Sequence, residues 1–175
     1  MKSKVLKFGI ISVVLAAILF LGPLIFMYDP EMGVNRTMMD IGEIIGYGAM
    51  LIAMLPVFFG TRAYKVQLGG SIGFGKALGT GMLITLVSTL IFYLANGLLY
   101  EVFMPDFLHT FEVGYTKVMM ENAAGEAEKQ QIRDMIEAQR PFFDNGWIYA
   151  ALMASTTFMI GVVISIISAL ILKKS

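Results

Sequence analysis

Four long apolar runs constrain this chain more than any other feature. Phe8–Tyr28, Ile44–Gly60, Ala77–Tyr100 and Gly146–Leu172 contain no charged residue. A helix rises about 1.5 Å per residue and the hydrocarbon core is about 30 Å thick, so about 20 residues cross it. Each run reaches that length, the second once Ile41 and Gly42 are added. Lipid cannot hydrogen-bond an open backbone, so a spanning segment must be a helix or part of a closed barrel. The alternating polarity of barrel strands is absent from the sequence. The pattern predicts an all-α, polytopic protein, a single membrane domain over 1–175 with spans at about 8–28, 41–60, 77–100 and 146–172.

The loops predict the orientation. Lys2, Lys4, Lys7, Arg62, Lys65, Lys76, Lys173 and Lys174 occupy the two tails and the link between the second and third runs, with no acid among them. Asp29 to Glu43 holds four acids against Arg36, and Glu101 to Asn145 holds nine against four bases. Basic residues of short loops stay in the cytoplasm. Both termini are therefore expected inside, with two loops outside. Tyr28, Tyr100, Trp147 and Tyr149 fall where interfacial aromatic anchors belong. The first run exceeds a usual signal-peptide core, and no small-x-small site precedes Asp29, so it is expected to remain as an anchor.

The segment 101–145 is the one sizeable aqueous part. Phe107, Phe111, Tyr115, Val118 and Asn122 recur at steps of three and four, as do Ile132, Met135, Ile136 and Gln139 after Gly125. This spacing predicts two short amphipathic helices, an extracytoplasmic helical hairpin between spans three and four. So small a unit lacks a core of its own and should rest on the bundle or on a partner.

Thirteen basic and thirteen acidic residues balance, and charged residues make up only 15% of the chain, which disfavours a nucleic-acid partner. With no Cys and only His109 as an imidazole, thiolate and polyhistidine metal sites are excluded. No metal or cofactor is expected: His109 and Glu112 share a helical spacing, but too few further ligands accompany them. Met residues are scattered through the spans, where they fill gaps. Gly70 to Lys76 has the glycine and lysine spacing of a phosphate loop, but Ala77 stands where Ser or Thr would hold magnesium and no buried strand precedes it. A nucleotide partner is accordingly not expected. The block reads instead as a tight turn, with Lys76 anchoring the third span at the headgroups.

Without a hydrophobic drive between helices in lipid, small residues must bring the spans together. Gly42, Gly46, Ala49 and Ala53 form such a face on the second span, and Gly161, Ser165 and Ala169 on the fourth. The third begins with Gly75 and Gly79. Glu43 is the ionisable residue of most interest, since a carboxylate inside a span is costly. It lies one turn from the outer end, where it suits a capping role beside Asp40 or the handling of a proton or cation. Tyr47 and Asn96 complete a candidate polar cluster with Glu43. No catalytic arrangement is found, and no nucleophile elbow is present.

The strings Gly42-Glu43-Ile44-Ile45-Gly46-Tyr47 with Met50, Phe58-Phe59-Gly60-Thr61-Arg62-Ala63-Tyr64, Gly69 to Ala77, and Ser165 to Lys174 are similar to those of a bacterial membrane family known as domain of unknown function four-one-nine-nine. The resemblance covers most of the chain outside the acidic loop. It implies a four-span protein of the bacterial inner membrane and carries no catalytic residues. The family tends to show Arg-Asp after the tyrosine, whereas this chain has Lys65-Val66. The expected function is a non-enzymatic accessory or scaffold subunit, held in the lipid bilayer with a membrane-protein partner or as a homo-oligomer. A small transporter or channel subunit using Glu43 is the alternative, and an enzyme of lipids or the envelope is a weaker one.

Overall fold

The computed structural model describes the backbone of residues 2–27 and 36–173, and the side-chain environment of residues 3–19, 41, 42 and 44–173. The described residues are helical throughout apart from short connections. The elements are α1 (Lys2–Met27), α2 (Arg36–Gln67), α3 (Phe74–Leu98), α4 (Phe107–Asn122), α5 (Glu126–Phe143) and α6 (Gly146–Leu172), with a π-helical turn at Leu99–Phe103.

Ile44–Gln67, Phe74–Phe103 and Gly146–Leu172 are long and apolar enough to cross a membrane. The first expected span, 8–28, has helical backbone up to Met27. Its side chains beyond residue 19 lie outside the described residues.

Two helix ends differ from the bounds of the apolar runs. The helix of the second run does not stop at Gly60 but continues to Gln67, because Thr61 to Gln67 holds no breaker. It ends where Gly69 and Gly70 take φ of 83° and 86°, the left-handed region that suits glycine. There the Gly70 N–H donates to the Lys65 carbonyl at 3.1 Å, satisfying an end carbonyl of the helix. The third run continues past Tyr100 through the π-helical turn, where the Met104 N–H donates to Leu99 O at 2.7 Å.

α1, α2, α3 and α6 share their cores. Val5, Met54, Val57 and Ile84 form one cluster, with Phe8, Val87, Ile160 and Ile164 packed on it. Ala16, Ala53, Phe92 and Ala154 form a second, with Leu15, Tyr93 and Met153 around them. At one end, Ile72 of the α2–α3 link inserts among Ala77, Ala169 and Leu172, beside Phe58, Tyr64 and Leu78. The link is therefore a plugged turn, held by a buried isoleucine.

At the opposite end an aromatic chain joins α4 and α5 to the longer helices. Tyr100 stacks on Phe107 with centroids 5.6 Å apart and meets Tyr149 edge-on at 5.2 Å. Phe111 contacts Phe107, Tyr115 and Phe143. These contacts bury the Phe107 and Phe143 side chains and leave the charged face of α5 to water.

Candidate functional site

The most extensive helix contact is between α3 and α6. Its centre is a reciprocal pair of small-residue steps. Gly81 and Thr85 are four apart on α3, and Gly161 and Ser165 four apart on α6. A Cβ placed on Gly81 would lie 2.9 Å from the Ser165 Cβ, and one placed on Gly161 would overlap the Thr85 side chain. Each glycine thus receives the other helix's hydroxyl residue, which requires the two helices to run antiparallel at close approach. The hydroxyls meet: Thr85 Oγ1 and Ser165 Oγ are 3.2 Å apart.

Ser165 and several other buried hydroxyls are also held by their own helices. Ser165 donates to Gly161 O at 2.7 Å, Ser88 to Ile84 O at 2.8 Å, Thr80 to Lys76 O at 2.8 Å and Ser168 to Ile164 O at 2.6 Å. Back-bonding to the carbonyl four residues earlier lets a hydroxyl sit inside an apolar seam without an unpaired donor. Ser88 also reaches Gly9 O at 3.4 Å, tying α1 to α3. Thr89 Oγ1 is buried without a partner among the described residues.

Both ends of the seam are closed by contacts with α6. At its start, Asn145 Oδ1 accepts from the N–H groups of Trp147 and Ile148 at 2.9 and 3.1 Å, and Glu101 Oε1 accepts from Gly146 N at 2.8 Å. A carboxylate and an amide oxygen there meet orphan donors and the positive end of the helix dipole. The Trp147 ring covers Gly97, where a Cβ would overlap it, and lies 5.6 Å from Tyr93. At its finish, Lys65 Nζ donates to Leu172 O at 2.8 Å, a cation on the terminal carbonyls.

Of the packing residues expected from sequence, Gly161 and Ser165 lie in this seam and are buried. Gly42 and Gly46 lie elsewhere: a Cβ on either would meet nothing within 4 Å, as also at Gly75 and Gly79. Within α2 the buried small residues include Ala49, Ala53 and Gly60, where a Cβ would overlap the Ile84 side chain. The side chains of Asp40 and Glu43 fall outside the described residues, so the candidate cluster is seen only through Tyr47 and Asn96. Tyr47 is half-exposed on α2, and Asn96 Nδ2 donates to Phe92 O at 2.8 Å. No hydrogen bond joins the two among the described residues. Asn96 lines a cavity of about 190 Å³ between α1 and α3, whose other walls include Ala16, Ala95 and Phe103.

His109 is exposed on α4 and Glu112 half-buried. Among the described residues no three His, Asp or Glu side chains are grouped to hold a metal.

Sequence reasoning missed Gly81 and Thr85, although the step of four between them, with Ser88 three further on, is legible. It also missed Lys65 and Glu101, whose partners are backbone atoms of another helix and leave no mark in composition. No curated protein and no solved structure matches the chain. The profile of the family described as protein of unknown function, DUF4199, matches residues 7–174, and the chain belongs to that family.

Proposed function

We propose that the chain is a four-span protein of the bacterial inner membrane, with both termini in the cytoplasm and α4 and α5 as a small extracytoplasmic hairpin. It works there as a non-enzymatic accessory or scaffold subunit. The observation that carries this reading is the α3–α6 seam. Its glycines interlock with hydroxyl residues, and the Thr85–Ser165 pair and the back-bonded Thr80, Ser88 and Ser168 spend their hydrogen bonds within the protein. A seam locked in this way favours a rigid platform over a moving pathway. The aromatic junction that seats α4 and α5 supports the same reading, since it presents the charged face of α5 at a fixed height above the bundle.

Affinity purification from the native membrane in mild detergent, followed by intact-complex mass measurement, tests the proposal. A stoichiometric second membrane protein or a defined homo-oligomer is expected. A solitary monomer that retains full function in reconstituted vesicles contradicts it.

Asn96, the polar side chain in the wall of an otherwise apolar cavity that Tyr47 does not line, supports one other reading, a small transporter or channel subunit in which Glu43, Tyr47 and Asn96 line an outward cavity within an oligomer. A carboxylate within a span, here one turn from the outer end, can handle protons or cations through its charge. On that reading, Glu43→Gln abolishes ion flux in reconstituted vesicles. Unchanged flux under every imposed gradient removes it.

A further inference from the structure

The charges of this chain are divided between the two ends of the helices. Val5 of α1 packs with Val57 of α2 and Ile84 of α3, and Lys65 of α2 reaches the last carbonyl of α6. These contacts bring Lys4, Lys7, Arg62, Lys76 and Lys173 to one end. The ion pairs seen among the described residues all belong to the other end, on or beside α5: Lys129–Glu126, Arg133–Glu126 and Arg140–Asp144. The segments that form the basic end contain no Asp or Glu. Lys65 is committed to Leu172 O, whereas Lys7, Arg62 and Lys76 are exposed and have no acidic partner among the described residues.

A concentration of exposed, unpaired cations makes a positive field that attracts an anionic surface or ligand from outside the chain. The character of the surface around them selects the kind. Val66 is 68% exposed and Phe74 40% exposed, each within a few residues of Arg62 or Lys76. Large apolar side chains interleaved with cations suit the boundary between headgroups and acyl chains, where the stem of a lysine or arginine also finds an apolar surface. A soluble phosphate would leave Val66 and Phe74 in water. The start of α3 adds to the positive field, because Gly73 offers its first N–H groups no side-chain cap.

We propose that this basic end binds the phosphate groups of anionic membrane lipids, with Lys7, Arg62 and Lys76 as the cations that hold them. The proposal rests on the membrane reading above but is independent of orientation, since it concerns whichever leaflet this end occupies. A basic residue near an anionic surface contributes about 1 kcal/mol, about fivefold in binding, and the attraction fades beyond a Debye length.

The full chain, purified in mild detergent, is incubated with equal amounts of phosphatidylglycerol and phosphatidylcholine, and the retained lipids are identified by intact mass spectrometry. Preferential retention of phosphatidylglycerol is expected, weakened by salt and reduced up to about fivefold by each of Lys7→Gln, Arg62→Gln and Lys76→Gln. Glu126→Gln, at the other end, should leave the preference unchanged. Equal retention of both lipids by the unmodified chain overturns the proposal. So does an unchanged preference in the triple variant, and so does displacement of the lipid by inorganic phosphate at equal concentration, which would assign the cations to a soluble ligand. The single variants, checked for native helicity by circular dichroism, keep the test open if the triple variant does not fold. Recovery of the chain from the soluble fraction would sink the membrane reading itself, whereas lipid retained without headgroup preference sinks only this one.

Discussion

The seam between α3 and α6 turns on atoms that glycine lacks. At Gly161 an added methyl would overlap Thr85, which is itself fixed by Ser165, so neither helix can yield without separating. Gly161→Ala is expected to destabilise the chain by about 1–3 kcal/mol, as overpacking of a tight core does. Gly79→Ala, where a methyl meets nothing within 4 Å, should cost nothing measurable. Thermal unfolding of both variants in the same detergent checks the contrast, and equal losses would contradict the packing described. The distinction was only half legible in the sequence. Small-residue spacing put Gly161 and Ser165, which lie in the seam, on the same footing as Gly42, Gly46, Gly75 and Gly79, which meet nothing within 4 Å. Spacing records that a residue is small, and which neighbour faces it depends on helix rotation and axial offset.

At the scale of elements, α6 begins where Asn145 and Glu101 close its first turn from two directions. Asn145→Ala should lower stability by about 1 kcal/mol, read as a shift in unfolding midpoint, while Asn145→Asp should largely retain it. The start of α5 carries exposed ion pairs between its own charges. The Glu126 carboxyl is held below its ordinary range by a hydrogen bond and ion pair with Lys129 and by the nearby charge of Arg133. Because its folded value is lowered, this contribution is present above the unfolded carboxylate range and is lost as pH falls through the folded value. The protection factors of amides at the start of α5, with the intrinsic slowing of exchange at low pH divided out, should therefore fall on acidification in the wild-type chain, with a smaller change in Glu126→Gln. The presence of α4 and α5 was legible from apolar steps of three and four and from the break at Gly125. Their ends were less so: the apolar steps read for α5 stop at Gln139, whereas the helix continues past Pro141 to Phe143, where Phe143 gains the contact with Phe111. The π-helical turn at Leu99–Phe103 gave no signal either, since its residues are as apolar as those of α3.

Across the whole molecule, the helical architecture followed from apolar run length, because a bilayer leaves so few alternatives for the backbone. What run length does not encode is how the helices meet. The cluster of Ile72, Ala77, Ala169 and Leu172 and the Lys65–Leu172 contact join segments about a hundred residues apart. A double-mutant cycle of Thr85→Val and Ser165→Ala measures one such link directly, and a coupling of about 0.6 kcal/mol is expected for a hydrogen bond between helices in a membrane environment. Zero coupling would mean that glycine packing alone holds the seam.

The central claim, a chain that crosses the membrane four times with its basic ends together, is tested most directly by labelling single cysteines. The sequence has no Cys, so each introduced thiol reports alone. Ser3, Ser71 and Gln130 are exposed, on α1, the α2–α3 link and α5. With a membrane-impermeant maleimide, Gln130→Cys should be labelled on intact cells with the outer membrane opened, and Ser3→Cys and Ser71→Cys only after the inner membrane is broken. Labelling of Ser71→Cys and Gln130→Cys from the same side would contradict the topology.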